Sequence, residues 1–122
     1  MAFDQPDFVA RRPRYDAAEE QAAEVTVRRL AVETADRVEA ELVNISRDGF
    51  QIQTSVPLAA KEVIVLELRH PQSGLEFSLP GTICWQAPQD DSTWLHGCQS
   101  ARPLDWETLG ELFLNKILAT GL

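Results

Sequence analysis

From Val25 to Ser100 the chain alternates apolar and polar residues with period two, and no helical stripe interrupts it. Successive side chains of a strand point to opposite faces, so such a run builds a sheet with one apolar face. Val25 and Val27 alternate with Thr26 and Arg28, and Val38, Ala40 and Leu42 alternate with Arg37, Glu39 and Glu41. Phe50 to Gln53, Glu62 to Leu68, Glu76 to Trp85 and Thr93 to Ser100 continue the pattern. Turn signals separate the runs: Thr34-Ala35-Asp36, Val56-Pro57-Leu58, His70 to Gly74 and Pro88 to Ser92. Six short strands without long helices between them predict an antiparallel sandwich or barrel. A small barrel also removes the edges such strands would otherwise expose.

Two other segments have a different character. After Ser100 the period becomes helical: Trp106, Leu109, Phe113 and Ile117 share a stripe, and Leu112, Leu114 and Leu118 widen it. With Asp105 as N-cap, a helix near Asp105 to Ala119 should pack on the sheet. Ahead of the strands, Asp16 to Glu24 is rich in alanine and glutamate, which predicts a short, partly exposed helix or turn. Residues 1–15 carry prolines, aspartates and three arginines without periodicity and read as a flexible N-terminal arm, leaving 16–122 as one folded domain.

Composition narrows the class of partner. With a net charge of −8, DNA or RNA would meet a repulsive average field. Yet Arg11, Arg12 and Arg14 crowd into one basic knot, which suits a small anion better than a polyanion. No apolar run approaches the ~20 residues of a membrane span, and the N-terminus lacks the pattern of a secretory signal, so no membrane insertion and a cytoplasmic location are expected. Cys84 and Cys98, the two cysteines, are expected to be reduced and buried, facing each other across a hairpin. With His70 and His96 they offer no metal-ligand spacing, and no nucleophile elbow is present, so neither a metal site nor enzyme activity is expected.

One hexapeptide stands out between the second and third strands: Asn44-Ile45-Ser46-Arg47-Asp48-Gly49. Asn44 and Ser46 would aim hydrogen-bonding groups outward from the corner, and Gly49 would take a positive φ. Arg47 is expected either to pair with Asp48 or to reach a ligand phosphate. Trp85 and Trp94 are expected in the core or at the barrel rim, with stacking of one indole on a base as the alternative.

This Asn-x-Ser-x-x-Gly turn, with arginines some thirty residues upstream, resembles the PilZ domain family, bacterial receptors of the second messenger cyclic di-GMP. The resemblance implies a six-stranded barrel closed by a C-terminal helix, no cofactor, and a ligand site formed by Arg11, Arg12, Arg14, Asn44, Ser46 and Gly49. It also implies an arm that folds over the nucleotide and changes the surface offered to a protein partner. Arginine suits such a ligand, because its planar fork pairs with guanine O6 and N7 or stacks on the base. Here the sequence departs from the family's Arg-x-x-x-Arg: Arg11 is followed four residues later by Tyr15 and Arg12 by Asp16, so the knot is one residue short. Family members without that pair are thought to act as nucleotide-independent adaptors, and both readings stand at this point.

Overall fold

The computed structural model describes residues 13–19, 22–30 and 37–119; Arg11, Arg12 and the Thr34-Ala35-Asp36 turn lie outside them. The strands are β1 (Tyr15–Asp16), β2 (Glu24–Arg29), β3 (Arg37–Ile45), β4 (Gly49–Thr54), β5 (Val63–His70), β6 (Leu75–Pro88) and β7 (Trp94–Ser100), followed by helix α1 (Trp106–Leu114). All strand pairs are antiparallel, in the order β1-β3-β2-β5-β6-β7-β4. A further pairing of β3 with β4 closes β2 to β7 into the expected six-stranded barrel. The inward positions of the alternation, among them Val27, Ile52, Ile64, Leu66 and Leu79, form the core.

β3 holds three partners because it is long. β4 pairs along one edge, while the other edge takes β2 at Arg37 to Ala40 and β1 at Asn44 and Ile45. Of the short helix or turn expected over Asp16 to Glu24, no helix forms among the described residues, and Glu19 lies in a turn. Instead the segment is sandwiched: Ala17 N–H donates to Val43 O (2.9 Å), Ala18 N–H to Ile117 O (2.9 Å), and Ala119 N–H to Asp16 O (2.8 Å). Helix propensity is worth only tenths of a kcal/mol per residue, and pairing on both sides outweighs it.

Helix α1 starts as its cap dictates, with Asp105 Oδ1 accepting from Thr108 N–H at 2.7 Å. That bond holds the Asp105 carboxyl below its ordinary range. The helix ends five residues earlier than expected, at Leu114, and Lys116 takes a left-handed φ of 61°. The turn drives Ile117 and Leu118 into the core beside Leu109 and Leu112. Leu114 lies about 200° round the helix from Leu112 and is 82% exposed, so it does not widen the buried stripe. Trp106, 65% exposed, also stays out of the core. No helix among the described residues is long and apolar enough to cross a membrane.

Candidate ligand site at the Asn44 to Gly49 turn

The corner between β3 and β4 is built around Ser46. Its backbone N–H donates to Gly49 O (2.8 Å), and its Oγ accepts from Asp48 N–H (3.2 Å) and Gly49 N–H (3.1 Å). The hydroxyl lies 3.3 Å from Gly49 O, to which it donates. Ser46 is 4% exposed, so its side chain closes the turn from within instead of projecting outward.

Gly49 has a different reason to be glycine from the one expected. Left-handed φ values among the described residues occur at Lys61, Gly74, Ser92 and Lys116, not at Gly49. A Cβ at Gly49 would lie 2.5 Å from Cys98 O, so the missing side chain lets β4 close on β7. Close approach, not a positive φ, fixes this position.

Asn44 does project outward, and a β-bulge is why. β3 and β4 pair Leu42 with Ile52 and then Asn44 with Gln51, leaving Val43 as the extra residue. Without it Asn44 would oppose Phe50, a core residue. Arg14 NH1 donates to Asn44 Oδ1 at 2.8 Å, and Asn44 Nδ2 donates to Gln51 Oε1 at 3.2 Å. Gln51 thereby fixes the amide with its oxygen towards the arginine.

A second bulge lies in β6. β6 and β7 pair Ile83 with Cys98 and then Trp85 with Gly97, so Cys84 is the extra residue. The two cysteines therefore do not oppose each other: Cys84 is exposed and Cys98 buried, both free thiols. Burial, with Cys84 close by, pushes the Cys98 thiol up to about 12. The bulge turns Trp85 to the outer surface, 41% exposed. Beside this bulge lies a groove of about 250 Å³, whose lining includes Arg14, Ser46, Asp48, Gly49, Trp85 and Gln99.

Arg47 leaves the groove. Its Nε donates to Leu104 O (2.7 Å), Leu104 N–H donates back to Arg47 O (2.8 Å), and the guanidinium sits 4.4 Å from the centre of the Trp106 ring. These contacts fasten the turn to the start of α1. Trp94 pairs with Thr54 and Pro88 at the opposite end of β7 from the groove.

A depression of about 270 Å³ has Glu39, Glu41 and Asp91 but no cation in its lining, and two larger ones also carry less chemistry. One of about 530 Å³ lies over β2 and β5, where Arg37 and Arg69 are already paired with Glu67, Glu24 and Glu76. The other, about 410 Å³, has four alanines in its lining and no cationic residue. The smaller groove is where an arginine held by a neutral acceptor meets an exposed indole.

The family model for the PilZ domain matches residues 11–114. The chain belongs to the PilZ domain family. Among solved structures, the PilZ chain is similar to K. pneumonia MrkH in its c-di-GMP complex (16% identity, TM-score 0.63), covering 86% of this chain and 50% of that one. Apo MrkH gives 16% identity and a TM-score of 0.60 over 88% of this chain and 49% of that one. The Bacillus subtilis inhibitor of motility MotI/DgrA gives 14% identity and a TM-score of 0.56 over 86% of this chain and 48% of that one. The PilZ chain thus spans about half the length of these relatives, and the likeness carries the barrel fold. No curated protein matches the sequence.

Sequence reasoning placed Arg14, Asn44, Ser46 and Gly49 around one corner, and four residues that line the groove or support its edge escaped it: Gln51, Gln99, Gly97 and the bulged Cys84. Strand register decides their roles, and a one-residue register shift leaves no mark on composition.

Proposed function

We propose that this PilZ domain is a cyclic di-GMP receptor that binds one guanine and its phosphate in the groove lined by Arg14 and Trp85, with Asn44 orienting the guanidinium. The observation that carries the reading is the Arg14–Asn44 contact: a guanidinium oriented by a neutral amide oxygen keeps its charge for an anion. Membership of the PilZ family and the fold shared with MrkH, described in a c-di-GMP complex, support the same ligand. A groove of about 250 Å³ is small beside the usual 300–1,000 Å³ of a ligand site. A dinucleotide would therefore need cover from the knot that Arg11 and Arg12 begin. In this reading the domain is a cytoplasmic bacterial binding module, not an enzyme, and ligand capture changes the surface it offers to a protein partner.

A second reading rests on Ser46. Its hydroxyl is already engaged by Asp48, Gly49 and burial, as a purely structural corner requires. Together with the incomplete arginine motif, this favours a nucleotide-independent adaptor. Calorimetric titration with cyclic di-GMP separates the two. The receptor reading expects saturable binding, weakened about 10- to 150-fold by Arg14→Ala through loss of a charge-assisted contact. Absence of binding in the full chain overturns it in favour of the adaptor.

A further inference from the structure

Gly97 sits in the middle of β7 on the outward side, yet it is buried. Its neighbour Cys98 points into the core with Ile83 and Phe50, so Gly97 must face the other way. What buries it is the indole of Trp85, its cross-strand partner. A Cβ added at Gly97 would overlap Nε1 and Cε2 of that ring and come within 2.7 Å of Cζ2. No other side chain could stand there with the indole where it is.

Resting on the nucleotide reading above, we propose that Gly97 is a positioning residue of the ligand site, whose missing side chain seats the Trp85 indole against β7 as a wall of the groove on which a base stacks. Three observations converge on this role. The Cys84 bulge turns Trp85 outward; Gly97 gives its ring a bed; and the exposed part of the ring borders the groove that Arg14 also lines. Stacking contributes most when the aromatic surface is held before the ligand arrives, because no rotamer freedom is then lost on binding. Glycine is a poor strand residue, so its presence in mid-strand calls for a local reason, and the indole supplies one.

The test follows indole N–H resonances and calorimetric binding of cyclic di-GMP in wild type, Gly97→Ala, Trp85→Ala and the double variant. The Trp85 resonance is identified by its loss in Trp85→Ala. In Gly97→Ala that resonance should move while those of Trp94 and Trp106 stay. Affinity should fall roughly 5- to 150-fold, the range for loss of one base–aromatic stack. The double variant should bind no worse than Trp85→Ala, since a residue acting through the indole has nothing left to position. Additive losses, or wild-type affinity in Gly97→Ala, overturn the proposal. Should Gly97→Ala fail to fold while the double variant folds, the overlap itself is demonstrated. If wild type binds no cyclic di-GMP, the nucleotide reading fails on its own. The resonance then judges the seating: movement upholds it, and an unmoved Trp85 signal in Gly97→Ala overturns it.

Discussion

Six of the described arginines of this PilZ domain, Arg14, Arg28, Arg29, Arg37, Arg47 and Arg69, fall into two regions that partner positive charge in different ways. On the outer face of β2, β3 and β5 they meet carboxylates: Arg28 and Arg37 reach Glu67, Arg29 reaches Glu62, and Arg69 reaches Glu24 and Glu76. At the turn the hydrogen-bond acceptors are neutral, the Asn44 amide oxygen for Arg14 and the Leu104 carbonyl for Arg47, with the Asp48 carboxylate also in the groove lining and Asp105 within electrostatic reach of Arg47. Carboxylates cancel the charge they hold, whereas amides and carbonyls orient a guanidinium and leave its charge in place. In a chain of net charge −8, an arginine whose hydrogen-bond acceptor is neutral is what a ligand phosphate would find. The Glu62 and Glu67 carboxyls, held below their ordinary range by side-chain bonds from Arg29 and Arg37, show how firmly the first region spends its charge internally.

This contrast predicts that the turn depends on backbone approach and the β2–β5 face on pairing. The largest effect is expected from Gly49→Val. Any Cβ there meets Cys98 O at 2.5 Å, so the variant should lose about 3 kcal/mol and melt at least about 10 °C lower by calorimetry. An unchanged melting temperature would mean that β4 and β7 are free to separate.

Next in size is Glu62→Ala. Glu62 is 5% exposed and accepts from Arg29 Nε (2.6 Å), Arg29 NH2 (2.9 Å) and Ala59 N–H (3.0 Å). With Arg29 still 27% exposed to water, the loss should be about 2 kcal/mol in chemical denaturation. Nucleotide affinity should not change. Arg14→Ala should do the reverse, altering stability by less than about 0.5 kcal/mol while binding suffers. Equal loss of affinity in both variants would erase the distinction between the faces.

Ser46→Ala comes third. A buried hydroxyl that satisfies two turn N–H groups should cost about 1 kcal/mol of stability when removed, where a surface serine would cost almost nothing. Denaturant midpoints of Ser46→Ala and Asn44→Ala, measured side by side, check this: the first should shift and the second should not.

The smallest effect is a pH dependence inside the barrel. His96 is fully buried with Nε2 2.9 Å from Thr54 Oγ1, and burial holds its pKa below the ordinary 6.5. Below that value the unfolded chain binds the proton and the folded one resists it, so stability declines as pH falls. Between pH 7 and 6 this should stay below about 0.7 kcal/mol, the limit set by the unfolded chain, and His96→Leu should flatten the decline in melting temperature.

Much of the barrel was legible because inward residues such as Val25, Val27, Leu66 and Leu68 recur at strict intervals of two, and Asp105 announced its helix. The groove was legible only in part. Period-two counting from Ile83 puts Trp85 indoors, and counting from Leu42 does the same to Asn44; in each case one bulged residue reverses the outcome. A bulge is set by how two strands fit in space, and nothing in Val43 or Cys84 as residue types marks it. Gly49 and Ser46 were placed at the right corner for reasons that burial and the Cys98 carbonyl replace. Leu114 misled because apolar character says nothing about which side of a short helix a residue occupies.

The strand that carries Arg14 towards Asn44 is stitched on its far side to Ile117 and Ala119, with Tyr15 edge-on to Phe113 at 5.2 Å between ring centres. On a ribosome, then, the first described residues must wait for almost the last. Until the segment beyond α1 emerges, Asp16 O and Ala18 N–H lack the partners that hold this edge in the finished barrel. The contacts that complete the edge therefore join residues 16–18 to residues 117–119, two stretches separated by nearly the whole described chain.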